Sequence, residues 1–136
     1  KPFTHQHLGE IGDSLESFVN SVGNLRFMPQ RGNFTRGILA SAYTVCTEPL
    51  EQLQATYRSF YADAPFVQVV DEPVHLKQVV NTNQCHVHLH NHEDVILITS
   101  VIDNLIKGAS GQAVQNMNLM FGWAEDLGLN LKASIF

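Results

Sequence analysis

Basic residues are scarce in this chain. Eight Lys and Arg stand against 13 Asp and Glu, a formal net charge of -5, which argues against the broad cationic surface that nucleic acid selects. Cysteine is scarcer, with only Cys46 and Cys85. Two thiols make no disulfide framework, so a reducing compartment, the cytoplasm, is the expectation. No apolar run approaches the ~20 residues that span a bilayer, and the opening residues carry no signal-peptide pattern. There is no P-loop and no G-x-G-x-x-G, hence no dinucleotide-phosphate cradle of the chain's own. Nothing repeats, and no low-complexity linker divides the sequence. What is present is a 136-residue chain, 44% hydrophobic and 15% charged, suited to one globular domain with its own core. It opens at Lys1 rather than Met, and a piece of something larger is expected.

Apolar periodicity places the elements. Ile11, Leu15, Phe18, Val19 and Val22 recur at steps of three and four, one face of a helix that Gly23-Asn24 should end. Leu25–Pro29 is a candidate short strand, and the compact apolar run Ile38–Val45 reads as a buried one. A second helix is expected to begin near Thr47, with Pro49 in its first turn, a buried stripe of Leu50, Leu53, Tyr57, Phe60 and Tyr61, and a stop at Ala64-Pro65. Phe66–Val70 should be a strand, and His75–Val80 a helical turn or short strand. Cys85–His90 and Val95–Ile102, joined by Asn91-His92-Glu93-Asp94, read as a hairpin. After Lys107-Gly108-Ala109 a third helix should run to about Phe121, with Val114, Met117, Met120 and Phe121 on one face. Leu127–Phe136 is a tail with at most one edge strand. These elements imply an α+β fold, a mixed, largely antiparallel sheet with helices on one face.

Seven histidines draw attention. His86, His88, His90 and His92 alternate along one strand and should share a face, opposite Val87 and Leu89. Such a row can hold a transition metal, but no carboxylate or cysteine at zinc-ligand spacing completes it. A solvated sheet face is the preferred reading, and no metal is expected. His5 and His7 stand just ahead of a helix N-terminus, with Glu10 in its first turn. The positive end of the dipole disfavours an imidazolium there and suits a neutral base, although spacing alone favours structural roles. Cys46 and Cys85 end and begin apolar strands with no basic neighbour, which favours buried structural thiols over nucleophiles. Arg31 and Arg36 flank a Gly/Asn loop and have the fork geometry for an oxyanion, although isolated arginines are more often surface groups.

Several stretches together resemble one family, the N-acetyl-γ-glutamyl-phosphate reductases. VIDNLIKGASGQAVQNMNLMFG (residues 101–122) is similar to that family's C-terminal signature. His5-Gln6-His7-Leu8-Gly9-Glu10-Ile11 is similar to its H-R-H-x-P-E-I motif, Thr35-Arg36-Gly37-Ile38-Leu39-Ala40 to its R-G-I-L-A-T segment, and Asn81-Thr82-Asn83 to a weaker pattern. Gly9 replaces the usual proline, Gln6 the frequent arginine and Asn33-Phe34 the usual Pro-Met. Neither cysteine stands in the family's N-P-G-C context, and no Rossmann-type Gly-rich segment is found. QAVQNMNLMFG favours this family over the related aspartyl-phosphate enzymes; a non-catalytic interaction domain of the same fold is the other alternative.

The resemblance implies the C-terminal domain architecture of glyceraldehyde-3-phosphate dehydrogenase-like enzymes. Residues 1–107 would form the catalytic and dimerisation domain, and 108–136 a helix and tail packing on an absent NADP-binding domain. It implies reductive dephosphorylation of an acyl phosphate through a cysteine thioester, with NADP as cofactor, in a homo-oligomer acting on a small molecule. Residue by residue, it implies His7 as general base with His5 in reserve, Glu10 to orient an imidazole or bind substrate, and Arg36 for the substrate's phosphate or carboxylate. Asn116 and Gln115 would face the cofactor's nicotinamide end. The fragment alone would be inactive, its Met117, Met120 and Phe121 exposed or covered by another chain.

Overall fold

The structure, a computed structural model, describes residue 3, residues 5–20 and residues 22–133. The chain forms two compact units, residues 1–34 and 35–136.

The first unit holds helix α1, His7–Glu16. It begins where the H-x-H segment predicts but stops short of Gly23-Asn24. Phe18 and Val19 are exposed, so the last part of the apolar stripe buries little, and burial is what sustains a short helix in water. The Ser17 hydroxyl donates to the Ser14 carbonyl at 2.6 Å, a local bond that competes with the helical ladder. Leu25–Pro29 is irregular rather than a strand.

The second unit is built on a four-stranded sheet of order β1-β4-β3-β2, with β1 Ile38–Val45, β2 Val67–Val70, β3 Cys85–His92 and β4 Val95–Ile102. β2 runs parallel to β3, and the other pairs are antiparallel. The hairpin turn is tighter than the expected four residues, because His92 pairs with Val95 and leaves only Glu93-Asp94 between the strands. Glu93 has φ 55°, the left-handed geometry that two-residue hairpin turns require.

The core lies on one sheet face, where Val87, Leu89 and Ile96 are buried and Leu50, Leu53 and Tyr57 pack against them from helix α2, Leu50–Phe60. Thr47 does not cap this helix. Pro49 precedes it with ψ 139° and its carbonyl accepts from the amides of Gln52 and Leu53. The expected stripe is half-buried rather than buried, and Phe60 is fully turned out. The larger correction concerns β1, expected to be buried: all eight of its residues are exposed. It is an edge strand, paired on one side only, and Leu39, Tyr43 and Val45 extend the uncovered face. On that face the register aligns Leu39 with Val101 and His86, and Tyr43 with Leu97 and His90.

Residues 76–78 form a 3₁₀ turn, and Ile106–Ser110 a π turn that leads directly into helix α3, Gly111–Met120. Lys107-Gly108-Ala109 is therefore inside the helical entry, not ahead of it. The tail to residue 133 contains no strand, and residues 134–136 lie outside the described residues.

Candidate active site

The densest polar constellation sits where β4 ends. Asp103 follows the last β4 residue and has no exposed surface. Its Oδ2 accepts from the Asn81 amide at 2.7 Å, and its Oδ1 from the amides of Leu105 and Ile106 at 2.8 and 2.9 Å. Arg36 Nη2 lies 3.0 and 2.9 Å from the two carboxylate oxygens. Burial by itself would raise the carboxyl's pKa, but the Arg36 bond and the three backbone amides outweigh it, holding Asp103 below its ordinary value and therefore ionised. Next to it, Asn104 Oδ1 accepts from the Gly37 amide at 2.7 Å. Gly37 has φ +107°, and a Cβ there would meet Leu76 Cδ2 at 2.6 Å, so only glycine satisfies both the backbone and the packing. The Arg36-Gly37 pair is thus tied to the Asp103-Asn104 pair just beyond the β1–β4 ladder.

α3 carries its faces the opposite way from an ordinary surface helix. Gly111, Gln115 and Asn118 are buried, while Met117, Leu119, Met120 and Phe121 are exposed. The buried amides are satisfied internally, as burial demands. Gln115 Oε1 accepts from Lys107 Nζ at 2.7 Å, and its Nε2 donates to Glu125 Oε1 at 2.6 Å. Asn118 Nδ2 donates to the carbonyls of Glu125 and Leu127 at 3.1 and 3.0 Å. Lys107 also donates to Gln112 at 3.0 Å and lies over the Phe66 ring at 5.8 Å. Burial pushes its ammonium below the usual lysine range, with Cys85 and Glu125 pulling the other way. Asn83 donates to Gln115 at 3.4 Å while its buried Oδ1 has no partner.

In the first unit the His5 and His7 rings meet edge to face at 4.8 Å, and the His7 amide donates to His5 Nδ1 at 3.3 Å. His5 is half-buried against Phe27, with centroids 5.1 Å apart, and Phe27 lines an open cleft with Phe3, Leu8, Leu25 and Arg26. His7 is exposed as the first helical residue, and Glu10 is exposed in the first turn.

The residues expected from the sequence therefore fall into two sets. His5, His7 and Glu10 share the first unit, the two histidines in contact. Arg36, Gln115 and Asn116 belong to the second, Arg36 on Asp103 and Gln115 with both amide ends engaged. Asn116 is exposed and accepts from Gln112 Nε2 at 3.1 Å. Arg31 is exposed. The histidine strand is less solvated than expected. His86 and His88 are half-buried, His88 Nδ1 lies 3.2 Å from the Val70 carbonyl, and His86 Nδ1 is buried without a partner. Among the described residues, no group of three or more His, Cys, Asp or Glu is placed to hold a metal ion, and no helix is long and apolar enough to cross a membrane. Both cysteines are half-buried free thiols rather than fully buried ones. Sequence reasoning missed Asp103, Asn104 and Lys107 as site residues. The signal for the first two was an Asp-Asn pair breaking the apolar run VILITSVI–LI.

Comparison with known proteins fits this geometry. The chain is 56% identical along its whole length to an N-acetyl-γ-glutamyl-phosphate reductase of Christiangramia forsetii, covering 43% of that protein. It is 55% identical to the enzyme of that name from Flavobacterium johnsoniae and 53% to that from Phocaeicola vulgatus, covering 42% of each. The chain thus spans less than half the length of the curated relatives it matches. The family model described as "Semialdehyde dehydrogenase, dimerisation domain" matches residues 1–104, a stretch that takes in the histidine pair, the whole sheet and the Arg36–Asp103 hub. The chain belongs to the semialdehyde dehydrogenase dimerisation-domain family.

Proposed function

We propose that this chain is the catalytic and dimerisation portion of a cytoplasmic N-acetyl-γ-glutamyl-phosphate reductase of arginine biosynthesis. The whole protein would convert the acyl phosphate to N-acetylglutamate semialdehyde and phosphate with NADPH. The carrying observation is 56% identity over the full chain to a reductase of that name. In this reading the nucleophilic cysteine and the Gly-rich phosphate loop belong to the part of the protein this chain does not span, and the chain alone does not turn over.

The chemistry asks for four things. A thiol must lose its proton before it attacks the acyl carbon and expels phosphate, and His7 is the base, with His5 in reserve. Glu10, one helical turn on from His7, orients an imidazole or binds substrate. Arg36 receives the substrate's phosphate or carboxylate, for which the guanidinium fork is shaped. NADPH, when bound, supplies the hydride that takes the thioester to the aldehyde. The residues here fit only its nicotinamide end: Asn116 is the exposed contact, and Gln115, one position round the helix, supports it from within through Lys107 and Glu125.

Residues 1–107 form the catalytic and dimerisation domain in this reading, and residues 108–136 dock on the nucleotide-binding domain. The inverted faces of α3 support that assignment, because an exposed apolar stripe on a helix whose polar side is buried requires a partner. A second copy of the protein covers the sheet face carrying Leu39, Tyr43 and Val45, which supports a homo-oligomer.

The direct test is the reverse reaction of the full-length protein. The semialdehyde with phosphate and NADP⁺ should generate NADPH absorbance only when phosphate is present, and its absence would overturn the reading. His7→Asn should lower kcat roughly 10²–10⁴-fold, the usual contribution of a positioned base. An unimpaired variant would remove His7 from the mechanism.

A further inference from the structure

We propose that Asp103 is the positioning residue for Arg36, presetting its guanidinium as the receptor for the substrate's anionic group; this rests on the reading of Arg36 given above. Two of the three backbone donors to Asp103 come from the π-turn entry and one from the loop before β3. They fix the carboxylate whether or not Arg36 is present. The one side chain that the carboxylate then holds is Arg36, and both contacts run through a single nitrogen, Nη2.

A guanidinium has five N–H donors in a rigid plane, so gripping it at one corner orients the whole fork. The Arg36 side chain keeps 31% of its surface exposed, and its Nε is buried without a partner. An unpaired buried donor is costly, and here it belongs to a group already tied at its other end. The backbone is located as well, because the adjoining Gly37 amide is tied to Asn104. Ion pairing with Asp103 offsets part of the positive charge of Arg36, so the contribution of Asp103 is direction rather than field strength. That distinguishes it from a second cationic ligand and from a purely structural knot.

The test is a double-mutant cycle in the full-length enzyme with Asp103→Asn and Arg36→Met. Loss of orientation should raise KM for the acyl phosphate about 10- to 100-fold, the scale on which small misplacements of a binding group act. The nucleotide KM should stay unchanged and kcat should move little, the pattern of lost uniform binding. On the Arg36→Met background, Asp103→Asn should add nothing to KM. An equal rise on both backgrounds, or a loss confined to kcat and Tm, would overturn the proposal. If Arg36→Met leaves KM unchanged, the substrate role of Arg36 falls and this inference with it. If Arg36→Met raises KM and Asp103→Asn does not, only the role of Asp103 falls. Should Asp103→Asn fail to fold, Asp103→Glu keeps the charge one methylene out of place and is scored by the same KM criterion.

Discussion

His86 and Asp103 are both held away from water, yet their chemistry differs. Asp103 is buried with donors on every side and stays charged, while His86 is half-buried with an unpartnered Nδ1. Burial first, and then the nearby charge of His75, lowers the His86 pKa below 6.5. The folded state therefore takes up this proton less readily than the unfolded chain. The resulting stability is present above about pH 6.5 and is lost as pH falls through the lower folded-state value. Urea midpoints should decline between neutral and mildly acidic pH, and His86→Gln should flatten part of that decline; an unchanged slope would contradict the assignment. The alternation of histidines was legible from spacing, but their half-burial was not, because it depends on which parts of the face the rest of the chain covers. Asp103 was hidden for a related reason. No local pattern distinguishes a carboxylate that will receive amides from residues 81, 105 and 106 from one that ends a strand in solvent.

At the scale of elements, α3 combines a close approach with reversed faces. A Cβ on Gly111 would meet the Ile106 carbonyl and Cγ2 at 2.9 Å as well as Asn83, and a backbone carbonyl inside a π turn has little room to yield. Gly111→Ala should cost about 1–3 kcal/mol, the range for overpacking, read as a lower urea midpoint; an unchanged midpoint would show that the turn adjusts freely. Element types were largely legible. The β3–β4 hairpin, β2 and the bounds of β1 follow from period and turn residues. Burial was not, since Ile38–Val45 has the composition of an interior strand and occupies an edge. The residues that would cover it belong to another surface, and no window of sequence contains that information. α1 ended early for the same reason: its periodicity continues past Glu16, but Phe18 and Val19 remain exposed.

For the whole molecule, the uncovered apolar surface sits in two places, the sheet face of β1 and the outer stripe of α3. The first fits a dimerisation-domain family, and the second fits a chain covering 43% of a longer relative. Tyr43, 77% exposed on the sheet face, offers a direct test. Tyr43→Lys in the full-length protein should shift light-scattering mass toward the monomer while leaving the circular dichroism of the fold intact. A variant that keeps its native mass would place the interface elsewhere.

The two-residue connection at Glu93-Asp94 also bears on how this architecture assembles. Eight paired positions, from His92 with Val95 to Cys85 with Ile102, zip outward from a minimal loop. β1 must return across some fifty residues to pair with β4, and such distant closures are slow. Refolding should therefore pass through an early ribbon of β3 and β4, onto which the edge strand is added last. Pulse-labelled amide exchange would reveal this as protection at Leu89 and Ile98 preceding protection in Ala40 and Ala42, and simultaneous protection would rule it out.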